Sequence, residues 1–128
     1  MRKSLLSLFV AGAVLTGIPA AQMRAHHSLS AEFDTTKPIE FKGTVKKVDW
    51  MNPHIYTHVE VKDAQGKVTV WKVEGGPPNA LFRQGFREDS LKIGEVVSIR
   101  GIRAKAATSN NIGSATITKA DGSTVYGR

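Results

Sequence analysis

Four histidines are the chain's whole supply of imidazole: His26, His27, His54 and His58. The first two stand in "MRAHHSLSAEFD", directly behind an apolar leader. If the leader is removed after Ala25, the free α-amine and the imidazole of His26 can chelate one metal ion. His27 is then adjacent, and His54 is available as a distant third ligand. Nitrogen-rich sites of this kind suit Cu(II), which tops the affinity order of the divalent first-row ions. The result would be a histidine-brace-like copper site. If removal falls earlier the amine is lost, and adjacent histidines on an extended segment point to opposite sides, so they face solvent or pack locally.

His54 and His58 share one face of a strand with Tyr56 between them. At roughly 3.3 Å per residue they are about 13 Å apart, too far to hold one small ion together. His54 also has a structural use at the turn, as a hydrogen-bond partner that fixes the Asn52-Pro53 loop. The same face has a metal-free use: Trp50, Asn52, His54, Tyr56 and His58 would offer aromatic, amide and imidazole groups to a sugar, a peptide or a small anion. Against that use, Trp50 and Trp71 are both suited to filling a core.

Catalytic residues are not assigned. Glu32 and Asp34 are close in sequence but fall in an extended arm, where paired acids are solvated rather than poised for proton transfer. Ser28 beside His27 lacks a nucleophile elbow. The amides of "EGGPPN" could hold an anion, but the stretch reads as a strand exit and a helix start. There is no cysteine, which excludes thiolate metal sites, thiol redox chemistry and cysteine nucleophiles.

These groups need elements to position them. Arg2-Lys3, the apolar run Leu5 to Leu15, then Gly17, Pro19, Ala20 and Ala21 read as a secretory signal peptide over residues 1–25, with cleavage after 20 or 21 as alternatives. The run is too short to span a bilayer, so the expectation is a periplasmic or secreted protein with no stable membrane insertion once the leader is gone. Arg2, Lys3 and Arg24 leave with the leader, so the net charge of +7 loses three and falls to +4. A mild surplus spread along strands gives nucleic acid little support as a partner. The expected partner is a periplasmic ligand or protein.

Beyond the leader the pattern is all-β. Ile39, Phe41, Gly43 and Val45 alternate, and the pattern resumes at Val48 and Trp50 after Lys46-Lys47, a phase slip that predicts a β-bulge. Gly43 in mid-strand implies a close approach or a sharp bend. After the Asn52-Pro53 turn, Ile55, Thr57, Val59 and Val61 alternate with outward polar residues. A hairpin at Gly66 leads to the third strand "VTVWKVEGG". One short helix follows, with Pro78 in its first turn, Leu81 and Phe82 as apolar anchors and Gly85 as its stop. A Gly94 turn opens a fourth strand with Val97, Ile99 and Gly101 on one side. A fifth strand then passes through an Asp121-Gly122 turn into a terminal strand.

Three strands, a helix and two or more strands is the order of an OB-fold. The predicted architecture is therefore a small OB-fold-like barrel of five to six strands over residues 39–128, preceded by an extended arm over 26–38, with a generic small β-sandwich as the alternative.

The stretches "AHHS", "EFD", "KGTV", "WMNPH" and "LKIGEVVSIRG" carry a resemblance. The chain resembles an uncharacterised family of exported bacterial proteins with an alanine-histidine-histidine-serine start, an asparagine-proline-histidine turn and a late lysine-x-glycine-acid turn. The resemblance spans essentially everything after the leader. It implies the compartment and the extent of the domain, and it brings no activity with it. The leading functional expectation is an exported binding or accessory module that handles copper through His26, His27 and His54. Behind it stand a metal-free module using the Trp50 to His58 face and, third, a copper redox enzyme.

Overall fold

A computed structural model describes residues 28–126. The leader, its cleavage points, His26 and His27 lie outside the described residues. The elements are α1 (Ser28–Glu32), β1 (Phe33–Asp49), β2 (Tyr56–Lys62), β3 (Val68–Glu74), α2 (Pro78–Arg83), β4 (Val96–Ala104), β5 (Asn111–Lys119) and β6 (Thr124–Tyr126).

The long β1 is the spine of the sheet. It pairs with β4 along Pro38 to Thr44 and with β2 along Thr44 to Asp49, both antiparallel. Val45 faces Val59 and the next pair is Lys47 with His58, so Lys46 is the extra residue of the expected bulge. The slip returns Val48 to the core side after fully buried Val45. Gly43 sits where the strands crowd: a methyl group there would fall 2.6 Å from both the Glu60 carbonyl oxygen and Val59 Cγ1. The mid-strand glycine is a close approach, as its position implied.

In β2 the alternation holds, with Ile55, Thr57 and Val59 fully buried and Tyr56, His58 and Glu60 half-buried on the other side. The hairpin into β3 is closed by Asp63, whose Oδ1 accepts from the amides of Gln65 and Lys67. In α2, Pro78 and Leu81 are buried. Phe82, expected as a second anchor, is instead 54% exposed and carries the Arg87 guanidinium over its ring at 3.7 Å. Consecutive helical residues point about 100° apart, so this short helix turns only one of the two inward. Phe86, 1% exposed, takes the anchoring place.

The strand order is β3-β2-β1-β4-β5-β6, with β3 also meeting β5 in parallel through Lys72 with Asn111 and Val73 with Ile112. That seam is two residue pairs long, so the molecule is a curled six-stranded sheet rather than the clean barrel expected. Between its walls lies one apolar cluster that includes Val45, Ile55, Val59, Val73, Phe86, Ile99, Ile112 and Ile117.

The extended arm expected over 26–38 is shorter than its sequence suggested. Ser28–Glu32 forms a five-residue helical turn, and β1 begins at Phe33, which is 2% exposed. Phe33 pairs with Ala104 and Pro38 with Ile102, so the residues between them are looped out of the ladder. Asp34 organises that excursion by accepting from the Thr36 amide and hydroxyl, which holds its carboxyl below the usual range. A single buried aromatic ring thus fastens a segment whose polarity reads as an arm. Among the described residues no helix is long and apolar enough to cross a membrane.

Candidate functional site at the entry of the second strand

His54 follows the Asn52-Pro53 turn and precedes β2. The ladder continues past the strand ends here: the Ile55 amide donates to the Gly76 carbonyl at 3.1 Å, and the Gly75 amide to the Ile55 carbonyl at 2.7 Å. These two bonds hold the backbone of His54 beside the end of β3, and its Nδ1 lies 2.9 Å from Oε1 of Glu74. In place of the expected hydrogen bond to the Asn52-Pro53 loop, the His54 ring lies against the Glu74 carboxylate across the ladder. The pair is a close contact between an imidazole and a carboxylate. Burial pushes the Glu74 carboxyl above its ordinary value; the nearby Glu32 carboxylate adds to the rise, and His54 and Lys72 oppose it.

This pair opens into a cavity of about 160 Å³, whose walls include Leu29, His54, Glu74, Leu81, Ser114 and Tyr126. Ser114 has φ of 47°, a left-handed conformation that costs a non-glycine residue free energy. It lies on β5 where Arg100 pairs with Thr116 but Ile102 pairs with Gly113, so it belongs to a bulge. Bulges and strained residues of this sort cluster beside functional sites, where they aim a side chain. Tyr126 is almost fully buried, and burial pushes its phenol up to about 12.

The other residues singled out in the sequence are dispersed. His58 Nε2 is 2.8 Å from Asp49 Oδ2, and Lys47 Nζ is 2.6 Å from the other carboxylate oxygen. Lys47 first, then His58, holds the Asp49 carboxyl below its usual range. Tyr56 carries Lys72 Nζ over its ring at 4.0 Å, and burial raises its hydroxyl. Asn52 is exposed in the turn. Trp50 stacks on Phe86 with centroids 5.5 Å apart at the margin of the core, and Trp71 packs on Phe41. Trp50 thus packs against the core while remaining partly exposed.

Sequence reasoning missed Glu74, Ser114, Tyr126 and Leu29. Glu74 had a readable signal, since strict alternation in β3 puts it opposite Tyr56. The other three are joined to the site through long-range packing alone. Among the described residues no group of three or more histidine or acidic side chains is placed to hold a metal ion. His54 and Glu74 contribute two polar groups to the cavity, and His26 and His27 lie outside the described residues.

Residues 14–114 match the model of a family of unknown function, DUF6152. Nothing matches the chain among curated proteins or among solved structures.

Proposed function

We propose that this chain, which belongs to the DUF6152 family of unknown function, is an exported, single-domain binding module of OB-like architecture that takes up a copper ion through His26, His27 and His54. The OB-like reading is supported by the circuit of pairings β1-β2-β3-β5-β4-β1 and by α2 lying between β3 and β4. Export is supported by the charged start and short apolar run of the leader.

One observation carries the metal reading: Leu29 lines the same cavity as His54. His27 and His26 precede Leu29 by two and three residues in the sequence. The α-amine and imidazole of His26 with the imidazoles of His27 and His54 would make a donor set suited to Cu(II). A metal-free role for the Tyr56 to His58 face has less support, because Lys72 covers the Tyr56 ring and Asp49 engages His58.

The test is the intact mass of the exported protein under denaturing and native conditions. A denatured mass that begins at His26, with one copper-sized addition in the native spectrum that survives a weak chelator, is the expected result. A chain that begins at Ala21 or Gln22 and retains no copper overturns the metal reading.

A further inference from the structure

We infer that the cavity between the end of β3, α2 and β6 is a binding site for a small primary amine: the Glu74 carboxylate and the Tyr126 hydroxyl receive its ammonium group, and the apolar walls take its carbon body. The inference uses no residue before Leu29 and no metal ion, so it goes beyond the copper reading and stands or falls separately from it.

Size and lining set the class of ligand. An apolar cavity of about 150 Å³ holds benzene, so one of about 160 Å³ admits a single ring or a short branched chain. Leu29, Pro77, Ala80 and Leu81 offer that body apolar contacts.

The polar end is set by two groups that the fold leaves unsatisfied. Glu74 is 18% exposed and lies against the His54 ring, but among the described residues no group donates to its carboxylate with hydrogen-bond geometry. Two carboxylates of similar exposure differ: Asp49 is hydrogen-bonded to the His58 ring at 2.8 Å, and Glu95 accepts from the Lys92 amide at 3.0 Å. Tyr126 is 5% exposed and lines the same cavity, yet its hydroxyl has no hydrogen-bond partner among the described residues. Gly75 brings the two to one wall. A methyl group there would fall 3.3 Å from the hydroxyl-bearing carbon of Tyr126 and 3.2 Å from Leu81 Cδ1, and Glu74 is its chain neighbour. A buried acceptor without a donor costs free energy that the N–H groups of a ligand recover.

Charge decides for an amine over other donors. Glu74 is the one acidic side chain among the described residues of the wall, and no lysine or arginine of those residues stands there. Lys72, the nearest basic residue along β3, lies over the Tyr56 ring at 4.0 Å. An ammonium has three donors and no acceptor, and its hydrogen bond to a carboxylate is about twice as strong as a neutral one. An anion would face an uncompensated carboxylate, and an alcohol would forgo the charge.

The experiment titrates benzylammonium, benzyl alcohol and toluene into the exported full chain in the presence of a chelator. Amide proton and nitrogen shifts report binding, and circular dichroism melting reports folding of the variants. Saturable shifts at Gly75, Gly76, Ala80 and Ser114 are expected, with benzylammonium bound about tenfold or more tightly than benzyl alcohol. Glu74→Gln is expected to erase that preference and Tyr126→Phe to weaken benzylammonium about threefold. Ala80→Leu fills the space and is expected to abolish binding of all three probes. Absence of a saturable shift at these amides overturns the site. Equal binding of the ammonium and the alcohol by the parent, or a preference retained in folded Glu74→Gln, overturns the amine and the role of Glu74. If Glu74→Gln does not fold, the ratio of ammonium to alcohol binding in the parent decides. Copper retention enters none of these outcomes.

Discussion

Phe33 rests directly on the backbone of Gly113: a methyl group at Gly113 would fall 2.8 Å from both Cδ2 and Cε2 of the ring. The contact joins the start of β1 to β5 and explains why the residues before Pro38 belong to the folded domain. Removing the ring leaves a cavity beside a backbone that cannot close it, so Phe33→Ala is expected to cost about 3–5 kcal/mol. Gly113→Ala is expected to be destabilising as well, by collision with the same ring. Because both changes act on one contact, the double variant should lose less than the sum of the two. Urea unfolding of the three variants checks this, and strict additivity would show that ring and glycine act independently.

A similar crowding at Gly43 has a sharper consequence. There the obstacle at 2.6 Å is the carbonyl oxygen of Glu60, part of the β1–β2 ladder, which cannot move without breaking pairing. Gly43→Ala is expected to cost about 1–3 kcal/mol, a fall in Tm of about 4–8 °C for each kcal/mol in a domain of about a hundred residues. Gly76→Ala is the control, since its added methyl would meet Leu81 at an ordinary 3.5 Å. Thermal melting should separate the two, and equal melting points would argue against the close approach.

The features legible in the sequence are those with a local cause. The bulge at Lys46 follows from a phase slip in the apolar alternation, the close approach at Gly43 from a glycine in mid-strand, and the helix stop from Gly85. Phe33 was hidden because its neighbours Asp34, Thr35, Thr36 and Lys37 are polar, and one aromatic ring does not make a period. The candidate site divides in the same way. His54 stood out by residue type, but its partner Glu74 comes from a strand whose register depends on the hairpin at Gly66. Trp50 could serve as platform or as core by composition, and only the position of Phe86, far along the chain, decides for the core.

Tyr126 sets an alkaline limit on stability. Burial raises its phenol from 10.0 to about 12. A raised pKa means that the fold favours the protonated form, so this contribution is complete below pH 10 and is lost as pH rises through about 12. Two units correspond to about 3 kcal/mol. Tyr126→Phe removes the titration. It also removes a buried hydroxyl that has no hydrogen-bond partner among the described residues, so at neutral pH the variant is expected within about 1 kcal/mol of the parent. Urea midpoints followed from neutral to strongly alkaline pH should show the parent falling progressively below the phenylalanine variant. A constant difference across that range would mean that the phenol does not titrate with unfolding.

The two strand histidines should separate cleanly in a metal assay. His54 faces the cavity that Leu29 also lines, whereas His58 is engaged by Asp49 on the far side of Tyr56. Truncating His54 removes a donor from the site, and truncating His58 removes one partly exposed hydrogen bond to Asp49, an interaction worth about 1 kcal/mol. Copper retention by the exported protein is therefore expected to fall at least tenfold in His54→Ala and to be unchanged in His58→Ala, with both variants melting close to the parent. The reverse order would move the site to the Asp49–His58 face, where Lys47 would have to give up the carboxylate before an ion could take its place.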